Sequence, residues 1–429
     1  MHFAGLDVHK REVEACVLDQ SGKVILRKRF PCTHTRLVAF ARASLGKDCR
    51  VALEATTNTW GVVRVLQPHV AEVVVSNPLR TKAIASAKVK TDKVDAFVLA
   101  QLLRSDFLPT VWIPDEHTQD VRALCTHRAC LVADRTRVKN RIHALLHQRL
   151  IEPPVEDIFS KPGREWLGTL QLAEDVRAFL DTQLRLLALV EQEIDQADRA
   201  LDVATHVDPR AKLLITLPGV DVAVAQALIA AIGDFSRFKD ADHAAAYLGL
   251  VPSTKQSGDN CYHGPITKHG RSHARWMLVQ AAQHVSRHPG PLGVFFRKLA
   301  NKKNRNVAVV ATARKLVTIA WHMLKNNEPY RYALPRATET KLSRVRVAAG
   351  QRKKTGPAAG TPAQKRSSKP KQPTRLVHGL PELYASEGLP PLAPPPGELK
   401  MLEARSLVRY AKSLEKNRRV PRRRKGPQV

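Results

Sequence analysis

The 429-residue chain is too long for one ordinary domain and, at 43% hydrophobic residues, apolar enough for two or three packed units. Its 70 Lys and Arg against 39 Asp and Glu give a net charge of +31 and a pI near 10.3, which points to a polyanionic partner, nucleic acid ahead of an anionic membrane surface. No run approaches the roughly 18 apolar residues of a spanning helix, no signal-peptide core follows Met1, and the six cysteines form no Cys-x-x-Cys pair, so the expectation is a soluble, intracellular protein with reduced thiols and neither zinc module nor disulfide framework.

The chain begins with three β-like runs at 2–9, 12–18 and 24–30, the latter two joined by the turn-like Asp19-Gln20-Ser21-Gly22-Lys23. A helical pattern in THTRLVAFARASL follows, then a strand in VALEA, a helix through TNTWGVVRVLQ, a strand in AEVVVSNP, and helices over 79–88 and 92–104. A three-strand meander followed by alternating helix and strand is the order of an α/β ribonuclease-H-like fold, here expected over 1–115.

From Glu116 to Leu150 the pattern is helical and strongly basic, and a further helix follows the breaks at Pro153-Pro154 and Pro162-Gly163. Within 173–204, Leu180, Leu184, Leu187, Val190, Ile194, Ala197 and Leu201 recur at three- and four-residue steps, the seam of an antiparallel hairpin or of an intermolecular coiled coil. This predicts a helical, coiled-coil segment over 116–205. Residues 206–333 then read as a mainly helical domain. LPGVDVAVAQALIAAIG reads either as an ordinary Pro-Gly connector between helices or as a helix-hairpin-helix-like element whose turn can approach a phosphate, a polar loop runs from Pro252 to Gly270, and two more helices end near Tyr332. Beyond Leu334 the composition turns to Pro, Lys, Arg, Gly and Ser and carries about +17 of the charge, which predicts a disordered basic tail over 334–429, interrupted by a short helix in ELKMLEARSLVRYAKSLEKN.

The acidic residues Asp7, Glu54, Asp92 and Asp95 stand out against this basic background. In the expected sheet the first and fourth strands are neighbours about 4.8 Å apart, so Asp7 and Glu54 converge at one edge. Asp92 and Asp95, three apart, share one helix face. Clustered carboxylates repel and raise one another's pKa unless cations are present. Mg²⁺ or Mn²⁺ relieves that repulsion, and two ions about 3.5–4 Å apart could hold both sides of a scissile phosphodiester. The bland alternative is that these acids are solvated, salt-bridged to Lys88, Lys90 and Lys93, or simply favourable at a helix start.

The polar loop also holds Ser257, within Lys255-Gln256-Ser257-Gly258-Asp259. A serine hydroxyl attacks phosphorus only with help from a base, cations or a metal. Lys255, Lys268, His269, Arg271 and Arg275 lie near it in sequence. On composition alone the Ser-Gly pair reads as a turn. His263, His269 and His273 match no zinc spacing, and the aromatics form no stacking platform for single strands.

Taken in series, GLDVHK, ALEAT, TDKVDA, LPGVDVAVAQALIAAIGDFSRF, YLGLVPSTKQSG and GPITKHGRSHARWMLVQAA closely resemble the insertion-sequence transposases with a DEDD catalytic domain, the bridge-RNA-guided recombinases, over about residues 3–330. The resemblance implies a RuvC-like N-terminal domain, a coiled-coil segment and a smaller transposase domain that supplies a nucleophilic serine. It implies that Asp7, Glu54, Asp92 and Asp95 hold Mg²⁺ or Mn²⁺, that Ser257 forms a covalent phosphoserine, and that dimers or tetramers build composite active sites from two subunits. A structured non-coding guide RNA would pair with donor and target DNA, in the bacterial cytoplasm at the nucleoid, with Arg135 to Arg149 as a plausible nucleic-acid surface. Where the family motif has two serines before glycine, this chain has Gln256-Ser257-Gly258, which leaves Ser257 aligned and Ser253 second. The tail extends beyond the family core as an auxiliary polyanion-binding segment. Competing expectations are a Holliday-junction-type metal nuclease that needs no serine, and a binding protein with a dead site; sugar-kinase-like and actin-like ATPases share the sheet topology, but this chain shows no second Gly-rich phosphate loop where their duplicated half would be.

Overall fold

The computed structural model describes residues 1–85, 91–351, 379–392 and 398–409 other than 405 and 407. It divides after Asp115 into two compact units, Met1–Asp115 and Glu116–Val429.

The first unit contains β1 (His2–Val8), β2 (Glu12–Leu18), β3 (Val24–Pro31), α1 (His34–Ser44), β4 (Cys49–Glu54), α2 (Thr59–Leu66), β5 (Glu72–Ser76), α3 (Pro78–Ile84), α4 (Asp92–Arg104) and β6 (Thr110–Val111). The sheet order is β3-β2-β1-β4-β5-β6, with β1, β4 and β5 parallel and the others antiparallel to their neighbours. This is the expected mixed α/β arrangement, with the two-residue β6 added at the edge. Alternation along the strands sorts the core. Ala4, Leu6, Val8, Val51, Leu53, Val73 and Val75 face Leu37, Phe40, Val62 and Leu66 of α1 and α2. Phe3, Cys16, Leu18, Ala52 and Val74 face Ala96, Leu99, Ala100 and Leu103 of α4.

Gly5 lets α4 lie directly on the sheet. A Cβ there would meet the Ala96 carbonyl oxygen at 2.0 Å and the Ala100 nitrogen at 2.6 Å, so only a strand without a side chain fits under this turn of helix. Thr91 caps α4, its hydroxyl accepting from the Val94 N–H, and Asp92 and Asp95 occupy the first turn, where the helix dipole favours negative charge.

The second unit holds α5 (Glu116–Gln148), α6 (Lys161–Thr169), α7 (Glu174–Val207), α8 (Pro209–Leu214), α9 (Val222–Ile232), α10 (Ala241–Tyr247), β7 (Pro252–Ser257), β8 (Asn260–Ile266), α11 (Ser272–Val285), α12 (Pro291–Lys302), α13 (Arg305–Asn326), α14 (Pro335–Ala348), α15 (Leu380–Ser386) and α16 (Glu398–Ala404). The seam of α7 packs on α5 of the same chain. Late residues of α5 (Val138, Ile142, Leu145) meet early ones of α7 (Val176, Leu180, Leu187), while Arg128 pairs with Asp198 at the other end, so the two run antiparallel.

Three expectations are corrected here and one alternative is narrowed. The Pro252–Gly270 loop is largely a β-hairpin, which hydrophobic alternation could not reveal because most of β7 and β8 is exposed. At the helix-hairpin-helix-like turn the contacts support the ordinary connector: Gly219 approaches Ala281 too closely for any side chain, α9 is buried throughout, and Asp221 caps its N-terminus. The tail does not begin at 334. Leu342 and Val345 of α14 and Leu380, Leu383 and Tyr384 of α15 lie in the core, Tyr384 donating to the Tyr330 carbonyl at 2.7 Å, because short amphipathic stretches survive inside a composition dominated by Pro and Lys. Partly buried Lys341 of α14 donates to the carbonyls of Ile215, Leu217 and Val220, holding the turn before α9. Finally, α13 is long and apolar enough to span a membrane by length and composition alone; half of its apolar window is buried in this core, including Leu316, Val317 and Ala320. Residues 352–378 and 410–429 of the expected tail lie outside the described residues.

Candidate metal centre

Asp7 is two residues after Gly5 and therefore on the same face of β1, under the start of α4. Its carboxyl is 17% exposed, and burial raises its pKa above the ordinary value; His9 opposes the rise, while Asp92 and Asp95 add to it. Asp92, at the first position of α4, is brought down to the same edge. His9, one further step of alternation beyond Asp7, turns its ring between the two: Nε2 lies 3.1 Å from Asp7 Oδ2 and 3.5 Å from Asp92 Oδ1. Among the described residues, Asp7, His9 and Asp92 offer ligand atoms that all fall within 4.8 Å of one another.

Glu54 and Asp95 flank this cluster. Leu6 pairs with Leu53, so Asp7 and Glu54 each sit one step further at the C-terminal ends of adjacent parallel strands. Asp95 follows Asp92 by three residues on α4 and is close enough to bear on Asp7 electrostatically. Two neighbours of Asp7, Glu14 and His9, are not among the acids that stand out in the sequence. Glu14, 5% exposed, stands opposite Asp7 across the β1–β2 ladder. Its pairing register is set by the sheet and is invisible in sequence. His9 did carry a signal, since Asp-x-His in a strand places both side chains on one face.

The donor set suits a hard or borderline divalent cation: carboxylate oxygens with one imidazole nitrogen. The Asp7 carboxyl is held above its ordinary value first by burial and then by Asp92 and Asp95, against the opposing effect of His9, and a cation there would favour its ionised form.

Ser257 belongs to the second unit. It is the last residue of β7, exposed, and precedes the two-residue turn Gly258-Asp259, where Gly258 adopts φ +56°. Lys255 and Ser257 alternate onto one face of the hairpin, and across the other Thr254 Oγ1 lies 3.1 Å from His263 Nδ1; Ser253 sits where the pairing register shifts. Of the cationic neighbours in sequence, Arg275 is engaged elsewhere, donating to the carbonyls of Leu248 (3.0 Å) and His269 (2.8 Å). On α5, Arg137, Arg141, His143 and His147 are exposed, as is Arg149 just beyond its end.

Two family models match the chain: one for the IS110-type DEDD domain, described as Transposase, over residues 4–151, and one described as Transposase IS116/IS110/IS902 family over residues 211–295. Full-length relatives agree. The insertion element IS116 44.8 kDa protein of Streptomyces clavuligerus is 24% identical, covering 78% of this chain and 97% of its own. The transposase for insertion sequence element IS1328 of Yersinia enterocolitica is 26% identical over 74% of this chain and 95% of its own. The pilin gene-inverting protein of Moraxella bovis is 28% identical over 76% and 97%. Among solved structures, T. thermophilus RuvC in complex with a Holliday junction substrate aligns with 26% of this chain and 99% of its own at 13% identity, and its TM-score of 0.20 carries no weight.

Proposed function

Because the chain belongs to the IS110 family of DEDD transposases, enzymes that act on DNA, we propose that it cuts and rejoins DNA through a phosphoserine formed at Ser257, assisted by a metal-dependent acidic site at Asp7, Glu54, Asp92 and Asp95. The observation that carries this reading is the convergence of Asp7 and Asp92, from distant parts of the sequence, on one edge of the sheet. A bound Mg²⁺ or Mn²⁺ would neutralise these carboxylates and polarise phosphate oxygens.

The serine step is a transesterification. The Ser257 Oγ–P bond forms as one P–O ester bond of the DNA breaks; the hydroxyl proton passes to a base and the departing deoxyribose oxygen takes up a proton. An exposed serine at the tip of a hairpin suits this role because a DNA backbone can reach it. Lys255, on the same face of the hairpin, supplies positive charge beside the phosphate. The relative that inverts pilin genes supports strand exchange over simple hydrolysis.

In this reading the partners are donor and target DNA and a structured guide RNA that pairs with them. Two subunits of a dimer or tetramer contribute the acids and the serine to each composite site, in the bacterial cytoplasm. The exposed basic face of α5 is the nucleic-acid surface.

A covalent-adduct assay tests the reading, using divalent metal, RNA transcribed from DNA flanking the gene, and labelled junction DNA. Wild type should yield a protein–DNA adduct that Ser257→Ala and Asp7→Ala both lose. Cleavage without an adduct that survives Ser257→Ala and is lost in Asp7→Ala would make the protein a metal nuclease instead.

A further inference from the structure

Resting on that reading of the acidic site, we propose that His9 is a ligand in it, so that the cation held by Asp7 and Asp92 has a mixed nitrogen and oxygen shell and the centre takes Mn²⁺ in preference to Mg²⁺. The family-level reading concerns carboxylates only; the nitrogen comes from the geometry of this chain.

The placement is built into the strand. Asp7 and His9 are separated by two residues, so the alternation of β1 continues past its end and carries the imidazole onto the carboxylate face. The His9 backbone is held on both sides, its N–H donating to the Glu12 carbonyl at 2.9 Å and its carbonyl accepting from Asn58 Nδ2 at 3.2 Å. The ring is 53% exposed, leaving one side open to solvent and substrate.

His9 Nε2 is hydrogen-bonded to Asp7 Oδ2, and the same spacing is that of adjacent ligands in a coordination shell. Adjacent ligands of an octahedral ion bound at about 2.1 Å sit roughly 3 Å apart, and Nε2 is 3.1 Å from Asp7 Oδ2 and 3.5 Å from Asp92 Oδ1. Mg²⁺ strongly prefers oxygen donors and gives up water reluctantly, whereas first-row transition ions accept imidazole alongside carboxylate. An imidazole in the third position would therefore shift preference away from Mg²⁺, and Mn²⁺ would take the two carboxylates as readily as Mg²⁺ does.

The test uses the full chain as wild type, His9→Ala and Asp7→Asn, titrated with Mn²⁺ and separately with Mg²⁺, together with pulsed EPR of the Mn²⁺-loaded proteins. Wild type should show ¹⁴N coupling to Mn²⁺ that His9→Ala lacks, and His9→Ala should bind Mn²⁺ about 10- to 100-fold more weakly while Mg²⁺ affinity changes by less than about threefold. Mn²⁺ bound in an Asp7-dependent manner without ¹⁴N coupling would overturn the proposal and leave the acidic site standing. Equal weakening of Mn²⁺ and Mg²⁺ would also overturn it, reducing His9 to a group that orients Asp7. Undiminished metal binding in Asp7→Asn would instead refute the reading of the acidic site itself. Thermal unfolding of His9→Ala, expected to match wild type because the ring is half exposed, separates ligand loss from misfolding.

Discussion

Replacing Gly5 by alanine tests the link between packing and site geometry. The added Cβ would stand 2.0 Å from the Ala96 carbonyl oxygen, 2.6 Å from the Ala100 nitrogen and 3.1 Å from the Ala96 carbonyl carbon. All three are backbone atoms of α4 and cannot rotate aside. Restoring an ordinary contact of about 3.4 Å requires the helix to lift by roughly 1.4 Å. Overpacking of this kind costs about 1–3 kcal/mol, several degrees in melting temperature for a unit of this size. Since α4 carries Asp92 and β1 carries Asp7, the same displacement separates the two carboxylates. A misplacement near 1 Å costs about 100-fold in rate, and Gly5→Ala should lose that much metal-dependent DNA cleavage. Gly61→Ala is the control: nothing lies within 4 Å of a Cβ there, and alanine within α2 should gain about 0.5–1 kcal/mol. Melting curves, divalent-metal titration and cleavage of labelled DNA are compared for the three proteins. Wild-type melting and wild-type metal affinity in Gly5→Ala would refute the account of how α4 sets the site.

Three further outcomes follow from buried charges. The Asp7 carboxyl holds its proton to higher pH when folded than when unfolded, so its contribution to stability is lost as pH rises from 3.8 through the raised folded value. Asp7→Asn should therefore melt above wild type in EDTA at neutral pH and lose that advantage in acid; divalent ion at 100-fold its Kd should stabilise wild type alone, by about 2.7 kcal/mol. An Asp7→Asn protein no more stable than wild type in EDTA would contradict this. Lys341→Met removes this donor from the carbonyls of Ile215, Leu217 and Val220, of which Leu217 keeps the Val220 N–H, and should cost about 2 kcal/mol or more, read as faster amide exchange across 215–220; unchanged exchange there counts against the clamp. Burial pushes His288 down to about 4, with Nδ1 accepting from the Gly290 N–H, so the folded chain should lose stability as pH falls from 6.5 toward 4, by no more than about 3 kcal/mol. His288→Asn, which keeps an acceptor for Gly290, should flatten that slope, and parallel slopes would show that the ring contributes nothing to it.

Much of the first unit was legible because its strands alternate between two buried faces and its helices carry clear caps, such as Thr91 before Asp92 and Asn77 before Pro78. Asp7 and Glu54 could be placed side by side because an acidic residue at the end of an apolar strand has few other destinations. Ser257 could not be found this way. Its hairpin is exposed on both strands and carries no hydrophobic period, so only likeness to a family singled it out. The helices at 335–348 and 380–386 were hidden for a related reason: two or three apolar residues each, Leu342 with Val345 and Leu380 with Leu383 and Tyr384, vanish in an average over a basic, Pro-rich region.

By itself the sequence determined the order of strands and helices in the first unit up to α4, the basic character of the chain and the acids that sit at strand and helix ends, because periodicity and capping act within a few residues. Tertiary structure alone decided that Gly5 admits α4, that Glu14 faces Asp7 and that Lys341 closes the turn at Leu217. Each of these depends on which distant segments are pressed together, and that is fixed by burial of the whole core rather than by any local preference of the chain.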